Sequence, residues 1–381
     1  MAQARAESDS DVEAIEAIAA RFQPAGAVLG VSPLGNGNIN DTYLVELSGP
    51  GERHAVLQRL NTQVFRQPQE VLANIAAVAK HVQNRLAAGV PELGGRCWQM
   101  PRLLCDRASG QNWVEHNGEI WRSLSFVENA SCHERLNDPN LAREVGIGLG
   151  LFHLLIHDLP AAQLADTLEG FHVTPTVVAR YHQQLAASEV VSCERSRWCQ
   201  SFIAEREAFA SVLEDALGRG ELQLRPIHGD PKLNNLLFDA PSGQAIALVD
   251  LDTIKPGLLH YDIGDCLRSA CNPAGEESRD LNAVRFDLGL AEAILRGYLG
   301  VASGFMSDAD YRYIVASARL ISFELGVRFF SDHLAGDVYF RTSHPGHNLE
   351  RAMVQFRLTE SIEAQAEALE AIVQQCRPKA P

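Results

Sequence analysis

Residues 226–268 read PIHGDPKLNNLLFDAPSGQAIALVDLDTIKPGLLHYDIGDCLR. Two apolar runs, at 236–238 and 245–249, close on Asp239 and Asp250 and are separated by the turn signal DAPSG. That pattern reads as a hairpin whose far end carries acid groups. His228-Gly229-Asp230 stands just before it, and Asn235 follows Asp230 by five residues. The spacing brings the side-chain oxygens of Asp230, Asn235 and Asp250 toward one end of a small sheet.

Oxygen ligands from an Asn and an Asp suit magnesium, which takes few protein ligands and fills its other positions with water and phosphate oxygens. A carboxylate held nearby, off the metal, can accept the proton of an incoming hydroxyl while metal charge neutralises a triphosphate. This is the division of labour in kinase-type phosphoryl transfer, with Asp230 as base and orienter and with Asn235 and Asp250 as metal ligands. Asn234, by contrast, reads as an ordinary turn residue.

A chain of 381 residues can bury a large core and divide into two domains. Its 46% hydrophobic and 21% charged content is that of a globular protein. The net charge of -15, from 48 acidic and 33 basic residues with no basic stripe, argues against nucleic acid as a partner. A nucleotide triphosphate stays compatible, since magnesium and a few cations can meet its charge locally. The N-terminal segment carries several acids and no apolar core, unlike a signal peptide. The most apolar helical stretch, 145–156, is shorter than the about 20 residues that a bilayer span needs. Eight scattered cysteines form no CxxC pair, so reduced thiols are expected rather than a disulfide framework or zinc site. The expectation is a cytoplasmic monomer without a membrane partner.

Toward the N-terminus, residues 11–22 have helical spacing, and strands are expected at 28–31, 42–47 and 54–59. Gly35-Asn36-Gly37-Asn38, between the first two, exposes backbone N–H groups in the manner of a roof over nucleotide phosphates, although the same four residues also make a plain hairpin turn. Protein-kinase architecture places a lysine on the third strand, where this chain has Gln58 with Arg59 beside it. Either magnesium and backbone hold the phosphates, or Arg59 turns inward. A helix over 70–87 offers Glu70 and Asn74 as supports for the phosphate site. Strands at 102–104 and 121–126 lead into residues 127–130, where a two-lobed kinase puts the hinge that reads the adenine edge; Phe126 and Glu128 flank it.

Downstream the pattern is mainly helical, with helices expected at 145–156, 181–189, 198–217, 282–298, 308–333 and 349–374. His153 and His157 have metal-ligand spacing but lack a third ligand, and read as core-edge histidines. Asp262 reads equally as an orienter of the catalytic loop or as a helix cap. Arg328 and Asp332 are placed for an i,i+4 salt bridge; beside an acceptor cavity their donors and acceptors would suit sugar hydroxyls instead.

HGDPKLNN followed by VDLDT resembles the aminoglycoside phosphotransferase and choline kinase superfamily. GNGNINDTYLV, VLQRLNTQVF, ELGVRFFSDHLAGDVYF and HPGHNL extend the likeness to most of the chain, and the stretch around Arg328 is similar to N-acetylhexosamine 1-kinases. The resemblance implies an α+β, two-lobed protein-kinase-like fold: a small β-rich lobe over 1–126, a hinge at 127–130 and a helical lobe over 131–381. It implies ATP and Mg2+ as cofactors, Asp230 as base, Asn235 and Asp250 on magnesium, and Lys232, Arg328 and Tyr339 near a small-molecule sugar acceptor phosphorylated at its anomeric oxygen. It also implies a third-strand glutamine. Gly229, where relatives often have Asn, and Asp41, where they have a smaller polar residue, depart from the pattern without removing a reacting group.

Overall fold

The computed structural model describes residues 9–22, 26–35, 39–49 and 51–378. Helix α1 (Asp9–Ala19) precedes β1 (Val28–Pro33), β2 (Asp41–Leu47) and β3 (His54–Arg59), followed by α2 (Pro68–Ala88), β4 (Leu103–Leu104), β5 (Val114–His116) and β6 (Glu119–Ser125). The strands form an antiparallel sheet in the order β1-β2-β3-β6-β4, with β5 paired to β6. Alternation divides its faces. Tyr43, Val45, Ala55, Leu57 and Trp121 bury one face against Ile15 and Ile18 of α1. Thr42, Gln58 and Arg122, neighbours across three strands, stand on the other.

The second lobe comprises β7 (Ala130–Ser131), α3 (Pro139–Ile156), α4 (Thr174–Ala187), α5 (Glu194–Arg206), α6 (Val212–Gly218), β8 (Arg225–Ile227), β9 (Leu236–Asp239), β10 (Ala245–Leu248), β11 (Lys255–Gly257), α7 (Leu259–Ala270), α8 (Leu288–Ala302), α9 (Asp308–Arg312), α10 (Ile314–Leu334), α11 (His347–Ala364) and α12 (Ala366–Cys376). The expected hairpin is β9–β10, with β7 on its outer edge, and β8 pairs with β11. Helices α3 and α8 touch through glycines: a Cβ on Gly146 would lie 1.9 Å from the Ile294 carbonyl oxygen, and one on Gly297 2.2 Å from that of Arg143. Side chains at these points would force the helices apart.

Three long helices expected from periodicity are each broken. The 198–217 segment divides into α5 and α6 around a 3-10 turn at Glu207–Phe209, 308–333 divides at Tyr313, and 349–374 at Gln365. The apolar spacing continues across each break, so periodicity alone does not register it. At Gln365 the side-chain amide donates to the Phe286 and Ser361 carbonyls at 2.9 and 3.0 Å, replacing helix continuation by tertiary contacts. Among the described residues no helix is long and apolar enough to cross a membrane.

Candidate active site

The loop after β8 is fixed before any reacting group is reached. Asp262, in the first turn of α7, accepts from the backbone N–H of His228 at 2.7 Å and of Gly229 at 2.8 Å. His153 contacts the same carboxylate at 2.8 Å and Tyr298 at 2.9 Å with its other ring nitrogen. Burial opposes charge on Asp262, but the His153 hydrogen bond and the facing donors hold its carboxyl below the usual range. Asp262 therefore orients the loop. His153 supports it, and His157 meets the Leu154 carbonyl, so the histidine pair is structural. Gly229 has φ +87°, and a Cβ there would lie 2.6 Å from the Thr253 carbonyl oxygen, which explains the absence of a side chain.

Asp230, Asn235 and Asp250 meet as the spacing suggests. Lys232 donates from Nζ to Asp230 Oδ2 at 2.7 Å, and Asn235 Nδ2 donates to the Asp230 carbonyl at 2.7 Å. Burial raises Asp230, but the Lys232 ammonium overrides it and leaves the carboxyl below its ordinary value. The Val249 N–H donates to the Asn235 carbonyl at 2.9 Å, which seats Asp250 beside that residue. Asp250 has φ +64°, a left-handed conformation uncommon outside glycine. The residue as a whole is exposed, while its carboxyl is partly withdrawn from water by its neighbours; that withdrawal, with Asp252 and Asp230 adding to it, pushes the carboxyl up to about 6 against Lys232 and Arg122.

These residues fit a magnesium ion. The Asn235 amide nitrogen is committed to Asp230, which leaves Oδ1 as its ligand atom. The carboxylates around Asp250 repel one another, and a divalent cation relieves that repulsion. Among the described residues no three His, Cys, Asp or Glu side chains form a metal cage, and an ion shared with phosphate oxygens needs none.

On the sheet above, Gln58 is fully engaged. Its Nε2 donates to Thr42 Oγ1 at 3.1 Å, and its Oε1 accepts from Arg122 Nε at 3.0 Å and Nη2 at 2.8 Å. Arg122, 1% exposed, also pairs with Asp252, whose other oxygen accepts from Asn40 at 2.6 Å. Arg59 does not turn inward; it pairs with Asp41 at the exposed edge. On α2, Asn74 is taken up by the chain itself, donating to the Ala165 and Ile254 carbonyls at 2.8 and 2.9 Å, and Glu70 is exposed. Gly35 has φ +71°; Asn36, Gly37 and Asn38 lie outside the described residues. At the hinge, Glu128 meets His54 Nδ1 at 2.7 Å, and the Phe126 ring lies 5.4 Å from that of His54.

On α10, the Arg328 guanidinium lies over Phe171 at 4.9 Å and over Phe340 at 5.5 Å. The i,i+4 salt bridge with Asp332 is not formed. Asp332 instead accepts from the backbone N–H groups of Val338, Tyr339 and Phe340 at 2.8–3.0 Å and from Asn348 at 2.9 Å. Backbone donors in a tight loop outcompete a flexible side chain for one carboxylate. The loop thereby presents Tyr339, 47% exposed.

Residues 30–301 match the model of the phosphotransferase enzyme family, a span that runs from within β1 through the rest of the sheet and the whole β9–β10 hairpin. The chain belongs to that family. Membership makes it a small-molecule kinase of the ATP-dependent type. Similar solved structures include an aminoglycoside phosphotransferase from Alicyclobacillus acidocaldarius subsp. acidocaldarius DSM 446, at 16% identity and TM-score 0.61 over 94% of this chain and 96% of that one. A microcompartment-associated aminopropanol kinase is similar at 18% identity and TM-score 0.60, covering 94% and 99%. A choline kinase from Cryptosporidium parvum Iowa II follows at 12% identity and TM-score 0.58, covering 96% and 98%. These likenesses establish the two-lobed kinase-like fold.

Within this phosphotransferase, Arg328 and Tyr339 lie beyond the matched span, whereas Asp230, Lys232, Asn235 and Asp250 lie inside it. Sequence reasoning passed over Arg122, Asp252 and His172. Arg122 had a faint signal, a charge inside the run IWRSLSF, and Asp252 stood unassigned in VDLDT. His172, whose Nε2 meets the Gly229 carbonyl at 2.8 Å, had no local signal.

Proposed function

We propose that this phosphotransferase moves the γ-phosphoryl group of ATP to the anomeric C1 hydroxyl of an N-acetylhexosamine, giving the sugar 1-phosphate. The observation that carries the acceptor assignment is Arg328, a guanidinium held by two aromatic faces and left without a hydrogen bond or ion pair among the described residues. A fixed fork of N–H donors suits hydroxyl and acetamido oxygens, and its charge disfavours a cationic acceptor. Tyr339, on the loop that Asp332 anchors, adds an amphipathic ring suited to a sugar face.

Asp230 receives the C1 hydroxyl proton as that oxygen attacks the γ-phosphorus in line. An anomeric hydroxyl is more acidic than an ordinary alcohol, so a carboxylate of lowered basicity suffices. Lys232 holds Asp230 ionised and places a cation beside the transferring group. The Gly35 turn covers the phosphates, Gln58 and Arg122 back them, and the hinge peptides between Phe126 and Glu128 read the adenine edge. Magnesium on Asn235 and Asp250 would neutralise phosphate charge.

Phosphorus NMR with magnesium-ATP and a panel of N-acetylglucosamine, N-acetylgalactosamine, galactose, choline, 1-amino-2-propanol and an aminoglycoside tests the reading. A sugar 1-phosphate doublet with matching ADP is expected. An amino-alcohol product without one transfers the acceptor assignment to the second reading, which Asp265 favours: its Oδ2 is buried without a hydrogen-bond partner and would suit an ammonium group.

A further inference from the structure

The pair of His172 and Glu324 lies under the catalytic loop, buried, and has no part in the transfer described above. The ring nitrogens of His172 both face acceptors: Nε2 meets the Gly229 carbonyl at 2.8 Å, and Nδ1 meets Glu324 Oε1 at 3.1 Å. Only an imidazolium donates at both nitrogens. His228, the residue before Gly229, shows the opposite pattern. Its Nδ1 accepts from the Asp230 N–H at 3.2 Å while Nε2 donates to the Val249 carbonyl at 3.0 Å, which requires a neutral ring. The peptide that joins Gly229 to Asp230 is thus gripped at its oxygen by a cationic histidine and at its N–H by a neutral one.

The backbone around His172 is built for this contact. His172 has φ +62°, a conformation that a residue with a side chain holds only when its surroundings impose it. Glu324 Oε2 accepts from Thr174 Oγ1 at 2.7 Å, so neither carboxylate oxygen turns away. Phe171, whose ring lies 4.1 Å from that of His172, carries the Arg328 guanidinium on its face. Two adjacent residues therefore touch the acceptor arginine and the peptide of the catalytic base.

We propose that His172 is a positioning residue, held as the imidazolium by Glu324, that fixes the Gly229–Asp230 peptide and with it the aim of the Asp230 carboxylate. The inference rests on the phosphotransfer reading of Asp230. Charged and titratable groups face His172 from α10 (Glu324 and Arg328), from α7 (Asp265 and Tyr261) and, one residue beyond Gly229, from Asp230 itself. Burial opposes the cation, but Glu324 and Asp265 outweigh burial and Arg328, and the ring's pKa is raised. The acceptors at both ring nitrogens call for the second proton, and it is lost as pH rises through the raised value. Loss leaves either a lone pair facing Glu324, which pushes the ring from its place, or an undonated Gly229 carbonyl, and in both cases the hold on the peptide weakens.

Two measurements test this. The first needs no turnover: nitrogen-15 spectra of the histidine rings in the full chain, with His172 assigned by its disappearance in His172→Gln. Both ring nitrogens of His172 should carry protons at pH 7 and titrate above the ordinary value of about 6.5. A ring with one proton at pH 7 overturns the proposal. The second is the pH dependence of kcat and KM. The wild type should lose kcat on the basic side; His172→Gln, a non-titrating donor, should lower kcat about tenfold and remove that limb with little change in either KM. Glu324→Gln should move the limb to lower pH. A basic limb retained unchanged in both variants overturns the proposal, and should His172→Gln fail to fold, the Glu324→Gln profile decides, with the His172 ring signals assigned by their shift in that variant. A wild type inactive toward every acceptor would count against the phosphotransfer reading, while the ring spectrum still reports on His172.

Discussion

In the proposed transfer, Lys232 and Asp230 set the chemistry at the scale of single residues. With burial raising Asp230 and Lys232 lowering it further, the folded carboxyl lies below its ordinary value, so the base stays ionised from neutral pH well into acid. Asp230 contributes no acid limb to kcat near neutrality. Lys232→Met removes the largest opposition to burial, leaving His228 and Arg268, and the acid limb should move upward; a profile superimposable on wild type would refute the pairing. Asp230→Ala should lower kcat by about 10²–10⁴-fold while calorimetry shows nucleotide affinity nearly unchanged. The meeting of Asp230, Asn235 and Asp250 was legible because the β9–β10 hairpin and the loop leading into it supply all three, so local spacing carries their geometry. Arg122 and His172 were not, since their partners Gln58 and Glu324 lie 64 and 152 positions away. Chain proximity says nothing about such pairs; strand register and helix docking create them.

Among the elements, α10 and the loop after it act as one unit. Asp332 holds the backbone N–H groups of Val338, Tyr339 and Phe340, so Asp332→Ala releases the loop that presents Tyr339. The KM for the acceptor should rise several-fold with that for ATP unchanged, and equal changes in both would argue against a local role. The α3–α8 crossing has a different vulnerability. Gly297→Ala puts a Cβ 2.2 Å from the Arg143 carbonyl oxygen, and urea unfolding should show a loss of about 1–3 kcal/mol or more. The sequence announced these helices through their apolar stripes, but the breaks at Tyr313 and Gln365 are imposed by tertiary contacts that no stripe encodes. Strands β7, β8 and β11 escaped notice because two or three residues, with Pro226 and Pro256 facing each other, carry no period.

For the molecule as a whole, Asp252 is one of the points where the lobes are tied. It belongs to the loop that carries Asp250, yet its partners Asn40 and Arg122 belong to the small lobe. Arg122→Met leaves a buried carboxylate without its cation and should cost about 3–5 kcal/mol in denaturant unfolding; Arg122→Met combined with Asp252→Leu should recover part of that loss. The division into two lobes was readable from the change of period near the hinge, whereas the tie between them was not. The family match ends at residue 301, before Arg328 and Tyr339, so in the proposed reading these two acceptor contacts occupy a separate length of chain from Asp230, Asn235 and Asp250. On that reading, exchanging α10 and its loop for those of a relative is expected to change acceptor preference without disturbing the transfer step. The seam for such a graft is already marked: a Cβ on Gly264 of α7 would lie 2.6 Å from the Ser317 carbonyl oxygen of α10, so any helix brought in must cross α7 at the same bare glycine.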